Sequence, residues 1–120
     1  MSVQSYKDLI VWQKSIMLTK EIYKLVKKLP KEEIYALSDQ MRRAVVSIPS
    51  NIAEGQARNS TKEFINFLSI ARGSKAELET QLIICQELNY MNEAEIQPIL
   101  DLLEEIGKMI TALIKILPKK

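Results

Sequence analysis

The sequence has no histidine, and only one cysteine, three glycines and four prolines in its 120 residues. Without histidine, neither a serine–histidine nor a cysteine–histidine pair can activate a nucleophile. The Glu-x-x-His pairs that hold two irons inside a helical bundle are also impossible. Cys85 cannot form an internal disulfide, and its apolar neighbours fit a reduced, cytoplasmic setting. So few glycines and prolines argue against the turn-rich all-β folds. No apolar run approaches the roughly 18 residues of a membrane span. The opening MSVQSYKDLIVW lacks the basic flank and apolar stretch of a signal peptide. A net charge of +2 is too small to imply nucleic acid, so only clustering of charge makes that case.

Helix is abundant. Hydrophobic residues form 47% of the chain, enough for one domain over residues 1–120 to bury a core without cross-links. Four segments carry apolar residues at helical spacing, and none alternates with period two. The first, about 9–29, places Leu9, Trp12, Ile16, Thr19, Tyr23, Val26 and Leu29 on one stripe and stops at Pro30. The second, about 31–54, carries Ile34, Leu37, Met41, Ala44, Val45, Ile48 and Ile52. The third, about 61–89, carries Phe64, Leu68, Ala71, Leu78, Leu82 and Cys85. The fourth, about 93–117, is the cleanest, from Ile96 through Leu103 and Ile110 to Leu117. Asn92 and Glu95 have capping-box spacing, although Pro98 moves the expected start a few residues later. Short connections predict an all-α, antiparallel, up-down-up-down four-helix bundle.

The stretch SIPSNIAEGQARNSTKEF at 47–64 interrupts this pattern. Ile48 and Ile52 continue the stripe without a phase break on either side of Pro49, so the helix is expected to pass through the proline with a kink. Gly55 is placed as a left-handed helix cap, and Ser60 with Glu63 as the capping box of the next helix. One glycine with no lysine–serine follow-on excludes a phosphate-binding P-loop. No enzymatic activity, metal, cofactor or small-molecule substrate is expected.

Three blocks carry a family resemblance: DLIVWQKS at 8–15, QMRRAVVSIPSNIAEGQAR at 40–58 and EFINFLSIARGSKAELETQL at 63–82. They resemble the four-helix-bundle proteins encoded by intervening sequences within 23S ribosomal RNA genes. That superfamily also holds the accessory variability proteins of diversity-generating retroelements. The resemblance implies a homopentamer of bundles with a basic surface, and no reaction. Its retroelement branch implies a reverse transcriptase as a partner and contact with nucleic acid. Lys75 departs from the family's clean apolar stripe on the third helix.

The polar residues support several expectations. Pairing through the 55–60 turn brings Arg43 near Arg72, with Asp39 and Glu79 available to pair, as a structural network, a subunit contact or a nucleic-acid contact. Gly73 and Ser74 are expected to permit close helix approach, and Trp12 to pack in the core. Lys14, Lys20, Lys24, Lys27, Lys28 and Lys31 load the first helix and its end, either as a solvated face or as a phosphate-attracting stripe. Lys7, Arg58, Lys62, Lys119 and Lys120 gather at the other end. Lys24, Lys27, Lys28, Lys31, Arg58, Lys62, Lys119 and Lys120 are therefore the nucleic-acid candidates. Neither group is interleaved with aromatics, so base stacking is not indicated. Val46, Pro49 and Ala53 form a second apolar strip beside Arg42, and a second strip on one helix invites a subunit partner. The expected function is a non-enzymatic homo-oligomeric module binding RNA or DNA through basic surface. The alternative is a protein-binding scaffold, such as a reverse-transcriptase accessory factor, without intrinsic nucleic-acid binding.

Overall fold

The computed structural model describes residues 5–118, and every regular element among them is helical. A 3₁₀ turn at Tyr6–Asp8 precedes α1 (Ile10–Leu25), α2 (Asp39–Gln56), α3 (Thr61–Glu87) and α4 (Glu93–Ile116). Contacts between neighbouring helices run in opposite chain directions. Met41 meets Cys85 and Ser47 meets Ser74 across α2 and α3, while Lys14 meets Glu105 and Lys28 meets Glu95 across α1 and α4. The bundle measures 46 × 25 × 21 Å. Its long axis suits α3, whose 27 residues rise about 40 Å at 1.5 Å each.

One core fills the space between the helices. Leu18 and Ile22 of α1, Met41, Ile48 and Ile52 of α2, Leu68, Leu78 and Leu82 of α3, and Leu103, Ile106 and Ile110 of α4 are fully buried. Each such side chain contributes roughly 1.5–3 kcal/mol of hydrophobic burial. The helix ends are also fixed locally. Ser60 Oγ accepts from the Glu63 amide at 3.1 Å, opening α3. Asn92 and Glu95 form a reciprocal capping box that starts α4 at Glu93, earlier than Pro98 suggested. α3 ends with Asn89 at φ 62°, and the amides of Tyr90 and Asn89 donate back to the carbonyls of Cys85 and Gln86. Asparagine is one of the few residues that adopts this left-handed conformation readily.

The structure corrects four local expectations. On α1 the buried residues are Val11, Ser15, Leu18, Ile22 and Leu25, one residue and so about 100° away from the stripe read from sequence. Ser15 is fully buried at one edge of this face, where its hydroxyl donates to the Trp12 carbonyl, and this polar residue disguises the true phase. The chain enters α2 through a 3₁₀ turn at Lys31–Glu33 and a π-helical turn at Ile34–Ser38, and the α-helix itself starts at Asp39. Wider turns shift the phase, so Ile34 is 42% exposed rather than core. Gly55 lies within α2, without a positive φ. A Cβ there would stand 2.6 Å from Phe67 Cβ, so it is a close-approach glycine rather than a cap. Gly73 has nothing within 4 Å of a would-be Cβ and faces open space, so Ser74 alone sits at the helix contact. Pro49 is inside α2 and buried, and the helix continues through it.

Candidate nucleic-acid and subunit interfaces

The predicted network of Asp39, Arg43, Arg72 and Glu79 does not assemble. Arg43 pairs with Asp39 one turn earlier at 3.0 Å, on the outer side of α2. Arg72 instead faces α4, where its guanidinium donates to Thr111 Oγ1 at 3.3 Å. Glu79 pairs with Lys75 at 3.3 Å within α3. The reason is register: residues meeting across α2 and α3 are Ser47 with Ser74 and Met41 with Cys85, displaced from the expected pairing of Arg43 with Arg72. What ties α2 to α3 is a hydroxyl pair, Ser47 and Ser74 at 2.7 Å, with the Asn51 amide donating to Ser47 Oγ and to its carbonyl. Sequence reasoning found Ser74 only as a small residue. The signal for the pair was that Ser47 and Ser74 each flank a buried stripe.

The first basic group divides into two. On the α4 side, Lys14 pairs with Glu105 at 3.0 Å and Lys28 with Glu95 at 2.6 Å. Lys24 pairs with Glu21 at 3.7 Å. Lys28's hydrogen bond, and then the Asn92 amide, hold the Glu95 carboxyl below its usual range. On the α2 side, Lys27 and Lys31 join Arg42 around a hollow of about 380 Å³ that contains no carboxylate among its lining residues. Tyr23 and Ile34, both 42% exposed, supply its apolar wall. Sequence reasoning treated Tyr23 as core and Arg42 as an interface residue, and so did not see them share a surface with Lys27 and Lys31.

The second basic group is weaker than its count suggests. Arg58 is held by Glu54 at 2.7 Å and Glu63 at 3.7 Å, with its guanidinium 4.9 Å from the Phe67 ring centre. Lys7 and Lys62 are exposed without an ion pair among the described residues, and Lys119 and Lys120 lie outside those residues.

Of the apolar strip on α2, Val46 is 40% exposed and Ala53 partly so, but Pro49 is buried and presents nothing to a partner. Its ring lies farther round α2 than Val46, toward the core. Tyr23 borders Val46 and Arg42 in a second shallow hollow of this α1–α2 seam. Trp12, partly buried, packs on the edge of the core and meets the Tyr6 ring edge-on at 5.3 Å.

The Cys85 thiol is buried, and burial followed by the charge of Glu33 pushes it up to about 11. Glu33 also accepts from the Tyr90 hydroxyl at 2.9 Å and from the Leu37 amide, bracing the π-helical turn, and this bond raises the Tyr90 phenol. Among the described residues, no helix is long and apolar enough to cross a membrane.

The family model described as 23S rRNA-intervening sequence protein matches residues 7–112. A solved structure of a protein with unknown function from the S23 ribosomal protein family of Bacteroides thetaiotaomicron VPI-5482 superposes with a TM-score of 0.82. The two are 30% identical, and the match covers 88% of this chain and 99% of that one. Among curated proteins, no match is found.

Proposed function

Because the chain belongs to the 23S rRNA-intervening sequence protein family, we propose that it is a non-enzymatic, self-associating helical bundle that binds RNA or DNA through its basic surface. The observation that carries this reading is the hollow between α1 and α2. Among the described residues, Lys27, Lys31 and Arg42 converge on it without an ion-pair partner, whereas most of the other cations are already matched to a carboxylate. Uncompensated charge on a fixed frame attracts phosphate, with affinity dominated by counterion release and little preference for sequence.

Self-association is placed farther along the same seam, on Val46 and Ala53, with Arg42 between the two functions. A five-copy ring is the expected assembly, from the resemblance of the sequence to a family of homopentamers. A ring would repeat the cationic hollow around its axis and multiply its field. A non-enzymatic role is supported by the chemistry available: there is no histidine, and the one thiol is buried with its pKa raised.

Replacing Lys27, Lys31 and Arg42 together with glutamine tests the reading. The slope of log affinity against log salt should become shallower by about 2–3, at roughly 0.7–0.9 for each lost phosphate contact. Unchanged binding by that variant would remove the hollow from the account. The second reading is a protein scaffold or reverse-transcriptase accessory factor that binds no nucleic acid itself. The exposed Tyr23, Ile34 and Tyr35 at the same end of the bundle favour it. Capture of a purified reverse transcriptase by a protein that ignores RNA and DNA would put that reading in front.

A further inference from the structure

A second groove lies on another side of the bundle, between α3 and α4, with a volume of about 410 Å³. Its cations are Arg72 and Lys75 from α3 and Lys108 and Lys115 from α4, and the carboxylate among its lining residues is Glu104. Glu104 stands 4.0 Å from Lys108 and Glu79 stands 3.3 Å from Lys75, and beyond those two pairs the charge of Arg72, which bonds the neutral Thr111 hydroxyl, is in excess. The hollow between α1 and α4 is different: Glu21 and Glu95 match Lys24 and Lys28 there, and no excess remains.

We propose that the α3–α4 groove is a phosphodiester track, a second nucleic-acid contact distinct from the α1–α2 hollow. It rests on the nucleic-acid reading above and adds a site to it. Three features fit a backbone rather than a single small anion. The first is length. Lys108 and Lys115, which both line the groove, are seven residues apart, about 10 Å along the helix, longer than a single phosphate and enough for about two successive phosphates of one strand.

The second is a preset floor. Lys75 has a side chain only 19% exposed and lies across α4 at Gly107. A Cβ on Gly107 would stand 3.0 Å from Lys75 Cε and 3.5 Å from its ammonium, so the absence of a side chain is what lets this lysine cross the seam. The third is a fixed donor. Arg72 is oriented by its bond to Thr111 on the facing helix, and one guanidinium nitrogen engaged there leaves the others for a ligand. Glycine and lysine thus explain each other. The lysine that breaks the apolar pattern of α3 has a slot cut for it in α4.

The experiment compares a fluorescent RNA hairpin and a duplex DNA binding to four proteins over a range of salt. These are the unaltered chain, the groove triple Arg72→Gln, Lys75→Gln and Lys108→Gln, the seam triple at Lys27, Lys31 and Arg42, and Gly107→Ala. Circular dichroism first establishes that each is folded. The groove triple should lose about 2–3 from the salt slope, at roughly 0.7–0.9 per contact. A groove triple that matches the unaltered chain while the seam triple weakens overturns the track and leaves the proposed function standing. No binding by the unaltered chain overturns both. If the groove triple does not fold, Gly107→Ala decides, because it keeps every cation and improves helix propensity. Displacing Lys75 should then lower the slope by up to about one contact, and binding identical to the unaltered chain would overturn the proposal.

Discussion

Gly55 and Gly73 are both helical, yet replacing each with alanine should act in opposite directions. At Gly55 the added Cβ meets Phe67 Cβ at 2.6 Å and the Phe64 carbonyl at 3.3 Å, so backbone and ring stem must shift. Overpacking of this kind costs about 1–3 kcal/mol, which outweighs the roughly 1 kcal/mol alanine gains in a helix. Gly73 meets nothing, so Gly73→Ala should stabilise by about that helix increment. Urea unfolding of the two variants checks the pair, and matching signs would contradict the packing described at Gly55. Cys85 gives a second test at this scale. With its thiol near 11, it should resist a thiol reagent at about pH 8, where little thiolate forms, and react at the rate of unfolding. Rapid labelling of the folded protein would show the site to be open. Residue chemistry of this sort was partly legible in advance. The absence of histidine needed no structure, whereas Gly55 reads identically to a cap until the facing phenylalanines are located.

At the scale of elements, caps were readable and phases less so. Asn92 with Glu95 closes the capping box that its spacing predicts, whereas Ser60 makes only its own half at α3: Ser60 Oγ accepts from the Glu63 amide, and the Glu63 carboxylate accepts from the Ser60 hydroxyl instead of the Ser60 amide. The phase of α1 was misread, because Trp12, Ile16 and Tyr23 form an apolar flank beside the buried face of Leu18 and Ile22. A helix with two apolar flanks does not declare which one faces inward. Nor does a sequence declare a π-helical turn, here braced from outside the element by Glu33 and Tyr90. The α4 cap carries a pH prediction. Glu95 is held below its usual 4.5 in the folded chain, first by Lys28 and then by the Asn92 amide. Its contribution is therefore present above the unfolded value and is lost as pH falls through the folded one. Melting temperatures measured downward from about pH 6 should decline more steeply for the unaltered chain than for Glu95→Gln, which keeps a cap but not the charge. Parallel curves would mean the Lys28 pair has no linkage to folding.

For the whole molecule, the four-helix arrangement was legible because long apolar periods joined by short connections leave few alternatives. The polar surface was not, since Arg72 and Lys75 lie on the side of α3 that faces α4, while Arg43 keeps to Asp39 on its own helix. Charge balance on a surface depends on such neighbours and not on counts. The proposed ring has its own test. Val46→Asp places a carboxylate on the half-exposed α2 strip, and burying it unpaired in a subunit contact would cost several kcal/mol. Light scattering should find a multimer for the unaltered chain and monomers for the variant at micromolar concentration. Monomers in both would remove self-association from the account.

The central claim is that uncompensated cations on this bundle hold nucleic-acid phosphates. The direct measurement is fluorescence anisotropy of a labelled RNA, and separately a labelled duplex DNA, titrated with the unaltered protein as salt rises from about 50 to 200 mM. The account predicts binding at the low end, a linear fall of log affinity with log salt, and similar curves for permuted sequences. No binding to either nucleic acid at about 50 mM salt, where counterion release favours contact most, would contradict it.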